Sequence, residues 1–264
     1  MIRTQKKNRS KPALISITSV DRSDDNINTN ICTAEIIPEC IKKTMKYNEA
    51  DILQINIKYP QIRLKAYTNQ IHEKSLKRIN KFYDSISKYF MKFSERVLYK
   101  YAVSEYLDIT KTVGKDSNEY AKIHSQPFKQ FGAVLNFEVT YNKNNFLCIY
   151  FDANIYSGKG RGNITRKAHI WDLSHGMIIP SNRFADFTSD NKKKICSYIC
   201  EIMKNQTERG EEYYINTDFK TVYKYFNSKN MFITDRGYNF FFPQNSLSPA
   251  ECGIVSFLYI SQYN

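Results

Sequence analysis

The segment Gly158-Lys159-Gly160-Arg161-Gly162 comes closest, by its residue types, to a chemical site. Alternating glycines and cations are typical of loops whose bare backbone amides close on a phosphate. A nucleotide-binding phosphate loop, however, ends in Gly-Lys-Ser/Thr and opens a helix, whereas the residues after Gly162 have the pattern of a strand. Two interpretations stay open: an anion site, or a tight loop or bulge that needs glycine. The candidate binding residues are Gly158, Lys159, Gly160, Arg161 and Gly162.

The remaining reactive residues do not form a catalytic or metal-binding pattern. The four histidines show no metal-ligand pairing. Asp172 and Asp186 are the only carboxylates we consider as an acid–base pair, and no second motif supports them. There is no Gly-x-Ser-x-Gly elbow, and no cysteine has an evident histidine partner. The sequence therefore predicts a protein that is not an enzyme and that has no metal and no cofactor.

The six cysteines do not have the spacing of a disulfide framework or of a zinc site. Cys196 and Cys200 stand one helical turn apart, on one face of a predicted helix. A chain of 264 residues does not need disulfides for stability. We therefore expect buried free thiols at these two positions.

Lysine and arginine exceed aspartate and glutamate by 39 − 26 = 13. This charge predicts attraction to a polyanion such as nucleic acid, teichoic acid or an anionic membrane, but it is also what an AT-rich coding bias produces. No apolar segment approaches the length of a transmembrane helix. The N-terminus is basic without an apolar run behind it, so it is not a complete secretory signal. The expectation is a cytoplasmic protein, or one whose export segment is missing from this chain.

Apolar periodicity predicts an α+β fold with mainly antiparallel sheets packed against one long helix and two shorter helices. In the N-terminal half we expect strands at 13–17, at 31–37 (ending before Pro38) and at 51–59 (ended by Pro60). A long helix follows and fades between Tyr101 and Tyr106. Its predicted core stripe is Leu76, Ile79, Tyr83, Ile86, Phe90, Phe93 and Val97.

The C-terminal half reads as an antiparallel meander with two helices. Strands are predicted at 135–141, 146–156, 166–172 and 177–179, with an Asn-rich turn at 142–145. One helix begins at Ser189 or Asp190 and the other is capped by Thr217. Two further strands are predicted at 238–242 and 253–260. The predicted organisation is a basic tail and polar linker (1–30), a strand–helix subdomain (31–130) and the meander (131–264).

Several segments resemble, in the right order, a bacterial family of domains of unknown function, over roughly residues 50 to 260. The family includes the ectodomain of the lysozyme-sensing anti-sigma factor RsiV and a non-catalytic region of a peptidoglycan deacetylase. Two positions depart from the family pattern, since Lys159 stands where it has Gly and Arg161 where it has His. The segments that carry the resemblance are 55–60, 79–80, 156–162, 171–176, 184–186, 236–237, Pro249 and 253–255.

The resemblance implies a non-catalytic binding module of the cell envelope that recognises a wall polymer or a protein partner such as lysozyme. It names no catalytic residue. Lysozyme is basic, so a chain of charge +13 would meet it with unfavourable electrostatics. One alternative is a cytoplasmic protein that binds nucleic acid or a phosphate-containing ligand through the loop at 158–162. The other is a wall-glycan hydrolase that uses Asp172 or Asp186. The sequence does not indicate the oligomeric state.

Overall fold

Two β-sheets and a long interrupted helix dominate the computed structural model, which describes residues 34–64, 70–115 and 128–260. The strands are β1 (Ala34–Tyr47), β2 (Ala50–Leu64), β3 (Phe131–Lys143), β4 (Phe146–Tyr156), β5 (Asn163–Asp172), β6 (Met177–Ile178), β7 (Met231–Thr234), β8 (Gly237–Phe242) and β9 (Val255–Tyr259). The helices are α1 (Gln70–Phe93), a π-helical turn (Ser94–Leu98), α2 (Tyr99–Lys115), α3 (Ser189–Glu208) and α4 (Phe219–Tyr225). The strand predicted at 13–17 and the tail lie outside the described residues.

Strands β1 to β6 form one sheet in chain order, and β7 to β9 form a second. Every neighbouring pair is antiparallel except β2 and β3, which run parallel where Leu53–Ile57 meets Phe131–Leu135. The connection between these two strands contains α1 and α2, as a parallel crossover requires. The α+β class with mainly antiparallel sheets is confirmed. The larger sheet runs across residue 130, where the sequence suggested a subdomain boundary.

The long helix packs on the larger sheet through the predicted stripe. Ile79 and Tyr83 are fully buried, together with Leu53, Ile55 and Ile57 of β2. The π-helical turn changes which residues face the sheet at the end of the stripe, because an i→i+5 turn contains one more residue than an α-helical turn. Consequently, the predicted core residue Val97 is 41% exposed and Leu98 is buried instead.

Three of the predicted element ends are wrong. The helix does not fade between residues 101 and 106 but continues through α2 to Lys115. Within α2, Tyr106 packs edge-on against Tyr47 and Phe128. Pro38 and Pro60 do not end their strands but face each other in the β1–β2 pair. Pro38 is tolerated because β1 is the edge of the sheet. Pro60 is tolerated because β2 pairs with β3 only as far as Ile57, so that Pro60 has a neighbouring strand on one side only.

The second sheet forms its own core with α3, α4 and the β3–β5 side of the larger sheet. Helix α3 begins at Ser189, as predicted, with Thr188 as its N-cap. Helix α4 is capped by Asp218, whose side chain accepts from the backbone N–H of Thr221, and not by Thr217 as predicted. Strand β7 was missed by the sequence analysis. None of the described helices is both long and apolar enough to cross a membrane.

Candidate functional site

The glycine-rich segment is the connection between β4 and β5. Gly158, Gly160 and Gly162 all have positive φ, at 79°, 65° and 88°. A Cβ at Gly162 would also lie 2.7 Å from Oδ1 of Asn154, whereas one at Gly160 would meet nothing within 4 Å. The backbone therefore requires glycine here for its conformation. This accounts for the glycines as a tight inter-strand loop and leaves the anion-binding hypothesis a prediction.

The two cations of this loop have different surroundings. Nζ of Lys159 lies 2.6 Å from Oε1 of Glu105, on α2, in an ion pair at the surface. Lys159 therefore leans toward the helical side of the sheet. Arg161 is exposed. The charge of Lys159 is therefore already paired with a carboxylate, which weakens the case for this lysine as a phosphate ligand.

Gln244, which the sequence analysis did not single out, ties this loop to the second sheet. Its Oε1 accepts from the backbone N–H of Ile164 at 2.7 Å. Its Nε2 donates to the carbonyl oxygens of Gly162 at 3.2 Å and of Ala250 at 2.8 Å. One amide side chain thus satisfies three backbone groups and fixes the start of β5.

A cleft of about 510 Å³ opens beside Gln244, between β5 and the segment 227–230 that precedes β7. We call this cavity the β5 cleft. Its described lining contains no Asp and no Glu. It does contain cations, amides and an aromatic floor. The residues used in the argument below are Arg166, Lys167, Asn227, Lys229, Asn230 and Phe241.

The base of the β5 cleft is fixed by Arg166, which links the two sheets. Its guanidinium forms a two-point ion pair with Asp152 on β4, with both N···O distances 2.7 Å. The guanidinium carbon lies 3.8 Å from the centre of the Tyr150 ring and 5.9 Å from that of Phe241 on β8. Planar pairing and stacking of this kind hold an arginine in one orientation. The charge of Arg166 is therefore compensated within the fold.

Lys167 and Lys229 differ from Arg166, because both are exposed and neither has an ion-pair partner among the described residues. Both residues line the β5 cleft: Lys229 belongs to the segment 227–230, and Lys167 belongs to β5, where it pairs with Phe151 on the sheet face that carries α1. Together they give the cleft a positive potential that is not neutralised locally. An acidic group that entered the cleft would be attracted by both charges.

The carboxylate of Asp172, one of the two candidate catalytic carboxylates, stabilises the turn that follows β5. Its Oδ1 accepts from the backbone N–H of Ser174 at 2.8 Å, and its Oδ2 lies 2.7 Å from Nδ1 of His175. The same turn docks on α1, where the Ser75 hydroxyl donates to the carbonyl oxygen of Ser174 and Arg78 donates to that of His175. The segment 171–176, which carries part of the family resemblance, is thus a docking turn.

Asn80, which belongs to another segment of the resemblance, also has a structural role. Its side chain pairs with both backbone groups of Ile62: Nδ2 donates to the carbonyl oxygen at 2.9 Å and Oδ1 accepts from the N–H at 2.8 Å. In this way α1 continues the hydrogen bonding of β2 beyond its pairing with β3. The asparagine is therefore explained by the attachment of the helix to the sheet.

The buried thiols are poor nucleophiles. Burial raises the pKa of Cys148 to about 11 and that of Cys196 to about 12, so neither is a thiolate at neutral pH. Cys196 and Cys200 are buried free cysteines, as predicted. Asp186 is exposed, and its backbone carbonyl oxygen accepts from Nδ2 of Asn191 at 3.1 Å. In the described ranges, no group of three His, Cys, Asp or Glu side chains could hold a metal ion.

No protein-family model and no curated protein sequence matches the chain. A solved member of the DUF3298 family from Bacteroides fragilis has a TM-score of 0.55 at 13% identity, over 87% of this chain and 90% of that one. A DUF3298 family protein from Pseudomonas aeruginosa has a TM-score of 0.48 at 9% identity, over 86% and 89%. The likeness to the Bacteroides fragilis protein shows a shared fold, that of a bacterial domain family of unknown function.

The β5 cleft could not be found from the sequence, because its two walls lie far apart in the chain. Arg166 and Asp152 are opposite each other in the β4–β5 pair, and their separation in the sequence does not predict an ion pair. The segment 227–230 has the polar composition of an ordinary turn. Only the packing of the second sheet against β5 brings it into the lining of the β5 cleft.

Proposed function

We propose that this protein is a non-catalytic binding module of the bacterial cell envelope, and that it recognises an acidic chain in the β5 cleft. The observation that carries the proposal is the composition of the cleft, whose described lining includes the two unpaired cations Lys167 and Lys229 and has no carboxylate. Amides at Asn227 and Asn230 add donors and acceptors to the same wall.

The envelope assignment is supported by the resemblance to the RsiV ectodomain and to the non-catalytic region of a peptidoglycan deacetylase. Teichoic acids and acidic protein segments are the acidic chains that such a location offers. Lysozyme is the less suitable partner, because it is basic and the cleft is cationic. The absence of chemistry is supported by the structural use of Asp172 in its turn and by the raised pKa of Cys148 and Cys196.

Two probes test the proposal: purified cell-wall sacculi that carry teichoic acid, and poly-L-glutamate. We expect retention on at least one of them at low salt and release as the salt concentration rises. Lys167→Glu with Lys229→Glu should weaken retention at least tenfold, because both side chains then repel an acidic chain.

The matched control is Lys74→Glu with Lys81→Glu, at two exposed positions on α1. Both double variants lower the net charge by the same four units, from +13 to +9. Retention should survive in the control. Equal loss in both variants would show that only net charge matters, and no retention of either probe would remove the proposal.

Nucleic acid or phosphate binding through the loop at 158–162 remains the second candidate. Arg161 is exposed there, and Gly162 adjoins the β5 cleft through its bond to Gln244. Lys159→Ala with Arg161→Ala should then weaken binding to duplex DNA or to inorganic phosphate. Unchanged affinity would exclude the loop as an anion site.

A further inference from the structure

Among the described residues, most of the outer edge of β5 has no partner strand. Strand β6 pairs only with Trp171 and Asp172. Upstream of these residues, β5 is paired with β4 on one side, in an uninterrupted antiparallel register from Asn163 to Asp172. The β5 cleft lies along this edge, since its lining includes the residues from 163 to 169.

The direction of the backbone groups on this edge follows from two hydrogen bonds. The N–H of Ile164 donates to Gln244 and the carbonyl oxygen of Ile170 accepts from Ile179, so both residues turn their backbone groups away from β4. Backbone direction alternates along an antiparallel strand. Arg166 and Ala168 therefore also point their N–H and C=O groups outward, into the cleft. In the described part of the chain, neither residue has a backbone partner on that side.

Space for an additional strand is already present. A second cavity of about 350 Å³ adjoins the β5 cleft and shares Ala168 and Lys229 with it. The two cavities form one groove between the β5 edge and the segment 227–231; we call it the β5 groove. A strand added at the usual separation of about 4.8 Å would lie in this groove.

The opposite edge of the sheet is different. Strand β1 carries Pro38 together with exposed Lys42, Lys43 and Lys46, and these features blunt a sheet edge against pairing. Strand β5 has no proline and no register shift in its pairing with β4. Of the two edges, only β5 combines regular backbone geometry, free donors and acceptors, and a facing wall.

We propose that the acidic chain of the proposed function is an extended polypeptide segment of a protein partner, which adds to β5 as a new edge strand. This inference rests on the proposed function, because it assigns the same site. The outward N–H and C=O groups of Arg166 and Ala168 bind the peptide backbone. Lys167 attracts an acidic side chain on the added strand, since opposite charges on neighbouring strands attract, and Lys229 adds a second positive charge from the segment 227–230. A glycan or teichoic acid has no peptide backbone, so it could not pair with the alternating N–H and C=O groups on the edge of β5.

The test begins with a display library of ten-residue peptides in which every second position is Asp or Glu. A selected peptide is then synthesised in two N-methylated forms, each methylated on alternate amides. In an added strand, only one of the two sets of amides faces β5. We therefore expect one form to lose at least tenfold in affinity while the other retains it. Equal binding, equal loss, or failure to select any peptide would overturn strand addition.

A protein variant gives a second measurement. Ala168→Pro removes one outward N–H without removing a donor from the β4 ladder, and should weaken peptide binding at least tenfold; a thermal unfolding scan shows whether it folds. The N-methylated pair decides the question even if this variant does not fold. One further result would separate the two proposals: Lys167→Glu with Lys229→Glu abolishes retention on sacculi while the two N-methylated peptides bind with equal affinity. That result would support the proposed function and contradict strand addition.

Discussion

The indole Nε1 of Trp171 donates a hydrogen bond of 2.6 Å to the phenolic oxygen of Tyr83, and both side chains are buried. Trp171 lies at the end of β5 and Tyr83 lies in the middle of α1. The bond therefore joins the long helix to the part of the sheet that carries the docking turn. The Tyr83 ring also lies 5.2 Å from that of Phe151, so the polar contact is enclosed by aromatic packing.

Tyr83→Phe should destabilise the fold, because the buried indole N–H of Trp171 loses its acceptor while the packing volume is almost unchanged. An unsatisfied buried donor costs about 1–3 kcal/mol. Urea unfolding followed by circular dichroism measures the difference. Tyr89→Phe is the matched control, since Tyr89 lies on the same helix and is 74% exposed. A loss of equal size in both variants would contradict this account of the hydrogen bond.

Gly176→Ala should be far more harmful than Gly160→Ala. Both glycines have positive φ, at 60° and 65°, so both substitutions carry the conformational cost of about 1–2 kcal/mol. A Cβ at Gly176 would also lie 2.7 Å from the Cα and the carbonyl oxygen of Ser75, whereas one at Gly160 meets nothing. The turn must then move off α1, at a further cost of about 1–3 kcal/mol. Chemical denaturation of the two variants should show this difference, and equal stabilities would mean that the turn is not docked.

Asp152→Asn should weaken the junction of the two sheets, because it leaves the guanidinium of Arg166 without a counter-charge. The side chain of Arg166 is 12% exposed and that of Asp152 is 29% exposed, so the cost should lie below the 3–5 kcal/mol typical of a fully buried pair, at about 2 kcal/mol. Asp235→Asn, in a surface pair with Lys143, is the control and should have a much smaller effect. Thermal unfolding of the two variants provides the comparison, and similar midpoints would argue against a structural role for Arg166.

Acid should destabilise the protein through His169 in a definite pH range. Burial, with a smaller contribution from Lys167, lowers the pKa of His169 to about 4 from its ordinary 6.5. Because the folded pKa is the lower one, the unfolded chain takes up the proton first, and stability is complete above pH 6.5 and is lost as the pH falls toward 4. The loss is at most about 3 kcal/mol at pH 4, from the 1.36 kcal/mol that each pKa unit represents.

His169→Gln isolates this contribution, because it removes the titrating group. Free energies of unfolding from urea titrations should run parallel for the two proteins above pH 7. Below that, the stability of the wild type should fall more steeply. Parallel curves down to pH 4 would show that His169 is protonated equally in the folded and unfolded states.

The sequence predicted those elements whose apolar pattern reflects their own packing. The alternation of Leu53, Ile55 and Ile57 and the spacing of Ile79 and Tyr83 follow directly from burial on one face. The errors occur where distant residues decide. Tyr47 and Phe128 keep α2 helical past Tyr106, and the edge position of β1 tolerates Pro38.

The glycine loop was found from its sequence, whereas the cleft beside it was not. Positive φ at Gly158 and Gly162 follows from local geometry, which a short motif can signal. The unpaired edge of β5 depends instead on which of the described strands lie beside it, and the cleft depends on residues 227–230, which are distant in the chain. Neither property is recorded in the residues of β5 themselves.

Gln244→Ala should release the start of β5 without unfolding the protein. The N–H of Ile164 and the carbonyl oxygen of Gly162 would both lose their partner on the second sheet. The amide of Ile164 should then exchange with solvent deuterium at least tenfold faster, since its outward direction leaves it no substitute in the β4 ladder. The amide of Thr165, which points toward β4, is the internal control and should keep its rate. Accelerated exchange at both amides would mean that the variant loosens the whole hairpin, and unchanged exchange at Ile164 would contradict the outward direction on which strand addition depends.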